Sequence, residues 1–421
     1  MTGSPRLSVD HPDLDRTFFP LPTVGSVDVR ILKSSFAVVE RRAEHAVTFF
    51  YAHLFWHNPA LRELFPAAAG EMQRQRDRLF AALTHVVARL GDADLLPYLH
   101  GLGRDHRKYL ARPEHYAAVG TSLRAALAEA CGDAWSPAAD KAWAEAYQVI
   151  ADAMQAGAAD SDDPPWWDAE VVRHLRYGED IGVLTLLPHE PLRHLPGQYV
   201  SVSSDRVPRI WRTYSLASAP RPDHTLDLHV SRVEEGLLST VLVRDVEPGE
   251  RLRLGAPGGR LTLRREGRPI TFIAAGTGWA PVRAMLEELV RRPPDAGVRL
   301  FVVARDAAYL YDRPLIDTYA ADLGWLTVTY ITPAPGGPRE QATARLATAL
   351  GNRGLWPDQD VYVAGPPVFI EETVRLVAEL GARPDRIHHD AVPAARPRPL
   401  GSGEWFLNRP APHWHDPAGR G

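Results

Sequence analysis

The 421-residue sequence holds a single cysteine, Cys131, so no intramolecular disulfide can form and the chain suits a reducing compartment. It has no basic excess: the formal net charge is -4, which argues against nucleic acid or an acidic membrane as a partner, because nothing would neutralise phosphates. It has no apolar run of about twenty residues and no signal-peptide core, so no membrane insertion is expected and a cytoplasmic location follows. An internal repeat is also missing. What is present is ordinary globular composition, 45% hydrophobic and 24% charged, over a length that exceeds what one core usually serves. Two or three domains are expected.

Periodicity divides the chain. Residues 1–30 mix proline, aspartate and isolated apolar residues and read as a disordered arm. From Ser35, apolar residues recur at spacings of three and four: Val39, Ala43, Val47, Phe50 and Leu54, then Leu79, Leu83, Val86 and Leu90, then Leu95, Leu99 and Leu102 with His106 in line. Two further helices run through Tyr116, Val119, Leu123 and Leu127 after Pro113, and through Trp143, Tyr147, Ile150 and Met154 after Ser136-Pro137. Residues 31–159 are thus an all-α domain, and the polar, proline-bearing run 160–165 is a linker. Beyond it the period changes to two. Short strands separated by Gly and Pro turns suggest an antiparallel β-barrel over 166–265, and alternating strands and helices imply a parallel α/β sheet over 266–395. Residues 396–421 read as a tail.

Two motifs carry chemistry. A strand ending in Gly276-Thr277-Gly278, with Pro281 preset for the first helical turn, would aim backbone N–H groups and a helix dipole at a pyrophosphate. Pro281 stands where the dinucleotide fingerprint wants its third glycine, and the turn alone is equally a tight strand-to-helix connection. Arg212-Thr213-Tyr214-Ser215 offers a cation for a diphosphate, a ring for an isoalloxazine and a hydroxyl for the reactive flavin nitrogen; alone it is a strand of mixed side chains. Their order is more telling: Gly197-Gln198-Tyr199, then Arg212 to Ser215, then Glu235-Gly236, the glycine turn and Gly365-Pro366. That order suits electron transfer from a nicotinamide to a flavin.

The segment from Trp166 to Val392 resembles the ferredoxin-reductase-like flavin and nicotinamide module. The N-terminal segment resembles the haem globin of flavohaemoglobins, on Phe50-Tyr51, His57-Asn58-Pro59 through Phe65, Gln75-Arg76, and His106 through the run Pro113 to Gly120. The resemblance covers nearly the whole chain except its ends. It implies haem b, FAD and NAD(P)H, with NADH weakly preferred. It makes His106 the proximal iron ligand, Tyr51 and Gln75 the distal pair, Phe65 the ring packed on the haem, and Tyr116 the residue that orients the ligand. It also makes Val230, Ser231 and Gly236 flavin-domain contacts beside the motif residues. From pattern alone, His106 is also compatible with a satisfied core histidine and Tyr51 with a core tyrosine.

The same resemblance exposes three departures: Ala158 where the family has a glutamate that completes the proximal network, Val392 where an aromatic covers the flavin, and Ala364 where a cysteine precedes Gly-Pro. The expected function is NAD(P)H-driven reduction of a globin haem that binds oxygen and reacts with nitric oxide or handles another small ligand. The alternatives are a flavin reductase with another acceptor and a haem-based sensor. The sequence sets no oligomeric state.

Overall fold

A computed structural model describes residues 28–390 apart from 265, 335, 339 and 352–357, so the N-terminal arm, the tail and Val392 lie outside the described residues. The first unit is helical: α1 (Val29–Glu40), α2 (Ala43–His57), α3 (Ala69–Ala88), α4 (Leu95–His106), α5 (Pro113–Cys131) and α6 (Pro137–Ala159). The Asp28 carboxylate caps α1 by accepting from the Arg30 and Ile31 amides, and the Ser136 hydroxyl caps α6 by accepting from Ala139 N at 3.1 Å. The apolar stripe that reads as one helix from Ser35 to Leu54 is two, broken at Arg41 and Arg42. The Arg42 guanidinium donates to the Ala130 carbonyl at 3.2 Å across the bundle, a tertiary bond with no local signature.

Helices α4 and α6 meet backbone to backbone. A Cβ on Gly103 would lie 1.9 Å from the Met154 carbonyl oxygen, and one on Gly157 would lie 2.3 Å from that of His100. Only glycine permits this approach, and it fixes where the end of α4 stands.

The second unit is antiparallel: β1 (Trp167–Tyr177), β2 (Ile181–Pro188), β3 (Tyr199–Ser204), β4 (Arg212–Ser215), β5 (Leu226–Ser231) and β6 (Arg251–Leu254), with the short α7 (Leu237–Thr240) between the last two. The order β4-β3-β6-β1-β2-β5 is closed by a bridge between Leu216 and Leu228, giving a barrel around Val171, Leu184, Val200, Val202, Leu228 and Leu254.

The third unit comprises β7 (Ile270–Ala275), α8 (Trp279–Arg291), β8 (Val298–Val303), α9 (Arg313–Asp322), β9 (Leu326–Ile331), α10 (Glu340–Gly351), β10 (Asp360–Ala364), α11 (Pro367–Glu379) and β11 (Ile387–His388). All strand pairs are parallel, in the order β11-β10-β7-β8-β9. Strand β7 is buried throughout. Phe272 and Ala274 face the α8 side with Val282 and Leu286, while Ile273 and Ala275 face Leu346, Ile370 and Val377 of α10 and α11.

Candidate functional site

His106 is the last residue of α4. Its Nδ1–H donates to the Leu102 carbonyl at 2.8 Å, one helical turn back, which fixes the ring and leaves Nε2 as the nitrogen available to a metal. Burial pushes its pKa below the ordinary value, favouring the neutral imidazole, the form able to act as a metal ligand. Tyr116, on α5, packs in the cluster of Leu99, Leu102 and Met154, and its carbonyl accepts the Tyr147 hydroxyl at 2.7 Å. Ala158 lies in the last turn of α6.

Tyr51 is buried on α2. Its ring stands edge-on to Phe50 (4.9 Å between centroids) and Phe65 (5.6 Å), and 5.7 Å from Phe55. Its hydroxyl points to α3, 3.5 Å from the Gln75 carbonyl, and burial raises its pKa so that it stays a donor. A neutral imidazole with a free Nε2, together with an aromatic wall that carries one phenol, fits a haem. The described residues include no cluster of three or more His, Cys, Asp or Glu side chains able to hold a bare metal ion.

Strand β4 carries the flavin motif, with Arg212, Tyr214 and Ser215 opposite Val202, Val200 and Tyr199 of β3. A cation, two phenols and a hydroxyl on two neighbouring strands suit a flavin diphosphate and ring. Arg212 is already engaged: one nitrogen donates to the Trp211 carbonyl at 2.9 Å and another pairs with Glu71 of α3. Several flanking residues have structural jobs. Gly197 (φ +98°) abuts the Leu261 carbonyl, where a Cβ would come within 1.9 Å. Gln198 Oε1 accepts from Leu195 N at 2.8 Å, which commits that oxygen to the turn. Val230 points into the barrel core and offers no side chain to a ligand, Ser231 is exposed, and Gly236 opens α7 against Ser239.

In the third unit, β7 and β10 are parallel neighbours, so their following turns converge at one edge of the sheet. A Cβ on Gly278 would lie 2.3 Å from the Ala364 carbonyl oxygen and 2.6 Å from Gly365 N. Gly276-Thr277-Gly278 and Gly365-Pro366, more than 80 residues apart in sequence, are therefore one surface (365 − 278 = 87). Pro281 sits in the first turn of α8 and Pro366 immediately precedes α11, so two helix N-termini face the crevice beyond the carboxyl ends of the strands, where such sheets take nucleotides. Arg305, after β8, pairs with Asp180 of the β1–β2 turn at 3.3 Å and lies 3.5 Å over the Tyr309 ring.

Long-range polar contacts join the units, and local sequence pattern marks none of them. Buried Lys108 donates to Asp105 at 2.5 Å and, across the first junction, to the Ser201 hydroxyl of β3 at 2.8 Å. At the second junction His229 of β5 is fully enclosed: Nε2 accepts from Arg283 of α8 at 2.9 Å and Nδ1 bonds the Tyr311 hydroxyl at 2.8 Å. Arg283 and Arg221 both reach Asp227, at 3.2 and 2.8 Å. Burial first, and the Arg283 charge second, push the His229 pKa down to about 3. At the first junction Arg107-Lys108-Tyr109 directly follows His106 and Trp211 directly precedes Arg212, an adjacency that by itself does not reveal that the two segments meet.

Comparison with known proteins agrees with this division. Residues 48–154 match the globin family model, 169–263 the oxidoreductase FAD-binding domain and 272–375 the oxidoreductase NAD-binding domain. The flavohemoprotein of Bordetella parapertussis is 31% identical over 392 residues, covering 86% of this chain and 97% of that protein. Those of Chromobacterium violaceum and Deinococcus radiodurans are 31% and 32% identical, over 96% and 94% of their lengths. The crystal structure of a Malassezia yamatoensis flavohemoglobin with bound FAD and heme superposes with a TM-score of 0.71, at 20% identity, over 88% of this chain and 99% of that one. With a globin, a flavin barrel and a nicotinamide domain in that order and in near full-length register with these relatives, the chain belongs to the flavohemoprotein family.

Proposed function

We propose that this flavohemoprotein spends NAD(P)H on nitric oxide dioxygenation, converting nitric oxide and oxygen to nitrate. When bound, the nicotinamide supplies a hydride, the flavin divides it into single electrons and the haem supplies an iron site for a diatomic gas. The residues of the chain do the rest. Gly276 to Gly278 and Gly365-Pro366 receive the nicotinamide nucleotide against two helix ends. Arg212 and Ser215 hold the flavin, and Tyr199 and Tyr214 flank it. His106 binds iron through Nε2, with the Leu102 carbonyl fixing the ring.

The observation that carries this reading is Tyr51. It is a buried, protonated phenol in a cage of Phe50, Phe55 and Phe65, and its proton, held only by a long 3.5 Å bond to the Gln75 carbonyl, can turn to a small polar ligand in a largely apolar space. Because the His106 Nδ1 is bonded to a carbonyl rather than to a carboxylate, the imidazole donates less electron density. That disfavours the peroxide-handling alternative, which needs the stronger donor. The test is NADH-dependent nitric oxide consumption on an electrode with nitrate measured in parallel. One nitrate per nitric oxide at high turnover supports the assignment, and flavin oxidation without nitrate overturns it. We favour NADH over NADPH because Arg305 is already engaged, lying over the Tyr309 ring and 3.3 Å from Asp180, a carboxylate it shares with Arg232 at 2.7 Å. Comparing kcat/KM for the two nucleotides decides this, and Asp180→Asn should shift the ratio toward NADPH.

A further inference from the structure

The end of α4 does more than carry the iron ligand. The His106 ring meets the Tyr109 ring edge-on, with centroids 5.7 Å apart, and Tyr109 meets the Trp211 ring edge-on at 6.4 Å. Trp211 is buried and directly precedes Arg212, the first residue of β4 and of the flavin motif. Three aromatic rings thus run from the helix that holds the haem ligand to the strand that holds the flavin.

Lys108 locks this contact. Its ammonium lies 5.1 Å from the Tyr109 centroid and 5.6 Å from that of Trp211, while donating to Asp105 on its own side and to Ser201 across the junction. Its stem crosses Gly255, where a Cβ would approach the Lys108 Cδ to 3.4 Å. A lysine only 7% exposed needs such partners, since burying its charge without them is strongly unfavourable. Its attachments bear on both ring-bearing segments, because Ser201 pairs with Thr213 of β4, two residues beyond Trp211.

We propose that Tyr109 and Trp211, clamped by Lys108, are positioning residues that couple the flavin electronically to the haem. One electron leaves the reduced flavin and one ferric iron becomes ferrous. The two rings provide the intervening coupling and are themselves neither oxidised nor reduced, and no proton moves. The inference rests on the electron route of the family and not on what the haem then does with a gas, so it stands whether or not nitric oxide is the substrate.

The experiment uses the full-length protein loaded with both cofactors, mixed anaerobically with NADH in a stopped-flow instrument, with the flavin and Soret bands followed separately. Trp211→Leu and Tyr109→Leu should leave flavin reduction unchanged and slow haem reduction by about ten- to a hundred-fold, the scale on which small losses of positioning act. Lys108→Met should slow the same step and Lys108→Arg should largely restore it. Spectroelectrochemical midpoint potentials supply the second readout. Unchanged potentials with slowed transfer support coupling through the rings, whereas potential shifts large enough to explain the slowing overturn it. Wild-type transfer rates in Tyr109→Leu, whose side chain lies outside the flavin strand, also overturn it.

Discussion

His229 makes the junction between the barrel and the nicotinamide domain sensitive to acid. Its ring is enclosed by Tyr311 and by Arg283 of α8, with Asp227 and Arg221 behind the arginine, and its pKa in the folded protein is about 3. An unfolded histidine titrates near 6.5. The folded value is depressed, so as pH falls the unfolded chain takes up the proton first. The stability that neutral His229 contributes is complete above about pH 6.5 and is lost progressively between 6.5 and 3. At pH 5 the loss is roughly 2 kcal/mol. For a cooperative unit the size of the two C-terminal domains that is about 4–8 °C in Tm. The assay is a Tm series from pH 7 to pH 5 on wild type and on His229→Gln, whose amide can still accept from Arg283 and donate to Tyr311 but does not titrate. Other groups titrate in both proteins, so the difference in slope isolates His229. Parallel slopes in the two proteins would refute the reasoning.

Four further outcomes are expected. Gly278→Ala forces a Cβ onto the backbone of Ala364 and Gly365, an overpacking of about 1–3 kcal/mol that should raise the KM for NADH about 5- to 150-fold, read by steady-state reduction of ferricyanide. Gly276→Ala, which meets nothing within 4 Å, should show only the milder effect of its left-handed backbone, φ +56°. His106→Ala should abolish haem retention while FAD content and NADH-driven flavin reduction persist, since the helical unit has its own core; simultaneous flavin loss on absorbance analysis would contradict that. Glu71→Gln releases Arg212 from a buried carboxylate and should tighten FAD binding about tenfold in a fluorescence titration, whereas weaker binding would make Glu71 a support for Arg212 rather than a competitor.

The three-domain plan was legible because it is periodic. Leu95, Leu99 and Leu102 lead to His106 at helical spacing, and the strand–turn–helix order around Gly276 follows from local steric rules. The break between α1 and α2 was not legible, since Arg41-Arg42 carries no Gly or Pro and the bond that uses Arg42 reaches a carbonyl 88 residues away. Strand β9, Leu326 to Ile331, is an edge strand and only partly buried, yet its Leu-Thr-Val-Thr-Tyr run alternates apolar and polar residues as a half-buried strand should. At the site, residue types with distinctive chemistry could be named one by one, whereas Lys108, Glu71, Trp211 and His229 matter through partners that only the fold supplies. Gly197 and Val230 show the converse. Their motif is recognisable, but the structure gives them packing roles.

The connection between α6 and β1 is short, residues 160–166, and the Arg107 guanidinium donates to the Ser161 carbonyl at its start. A flexible segment of that length spans on the order of 15 Å, so the helical unit meets the barrel at a millimolar-scale effective concentration. Contacts such as Glu71–Arg212 and Lys108–Ser201 therefore need only orient the two units, because the tether already supplies their encounter. An interface so arranged can be weak in absolute affinity and still be closed nearly all the time. Cutting the tether would abolish electron delivery between dilute halves without altering any residue that touches a cofactor.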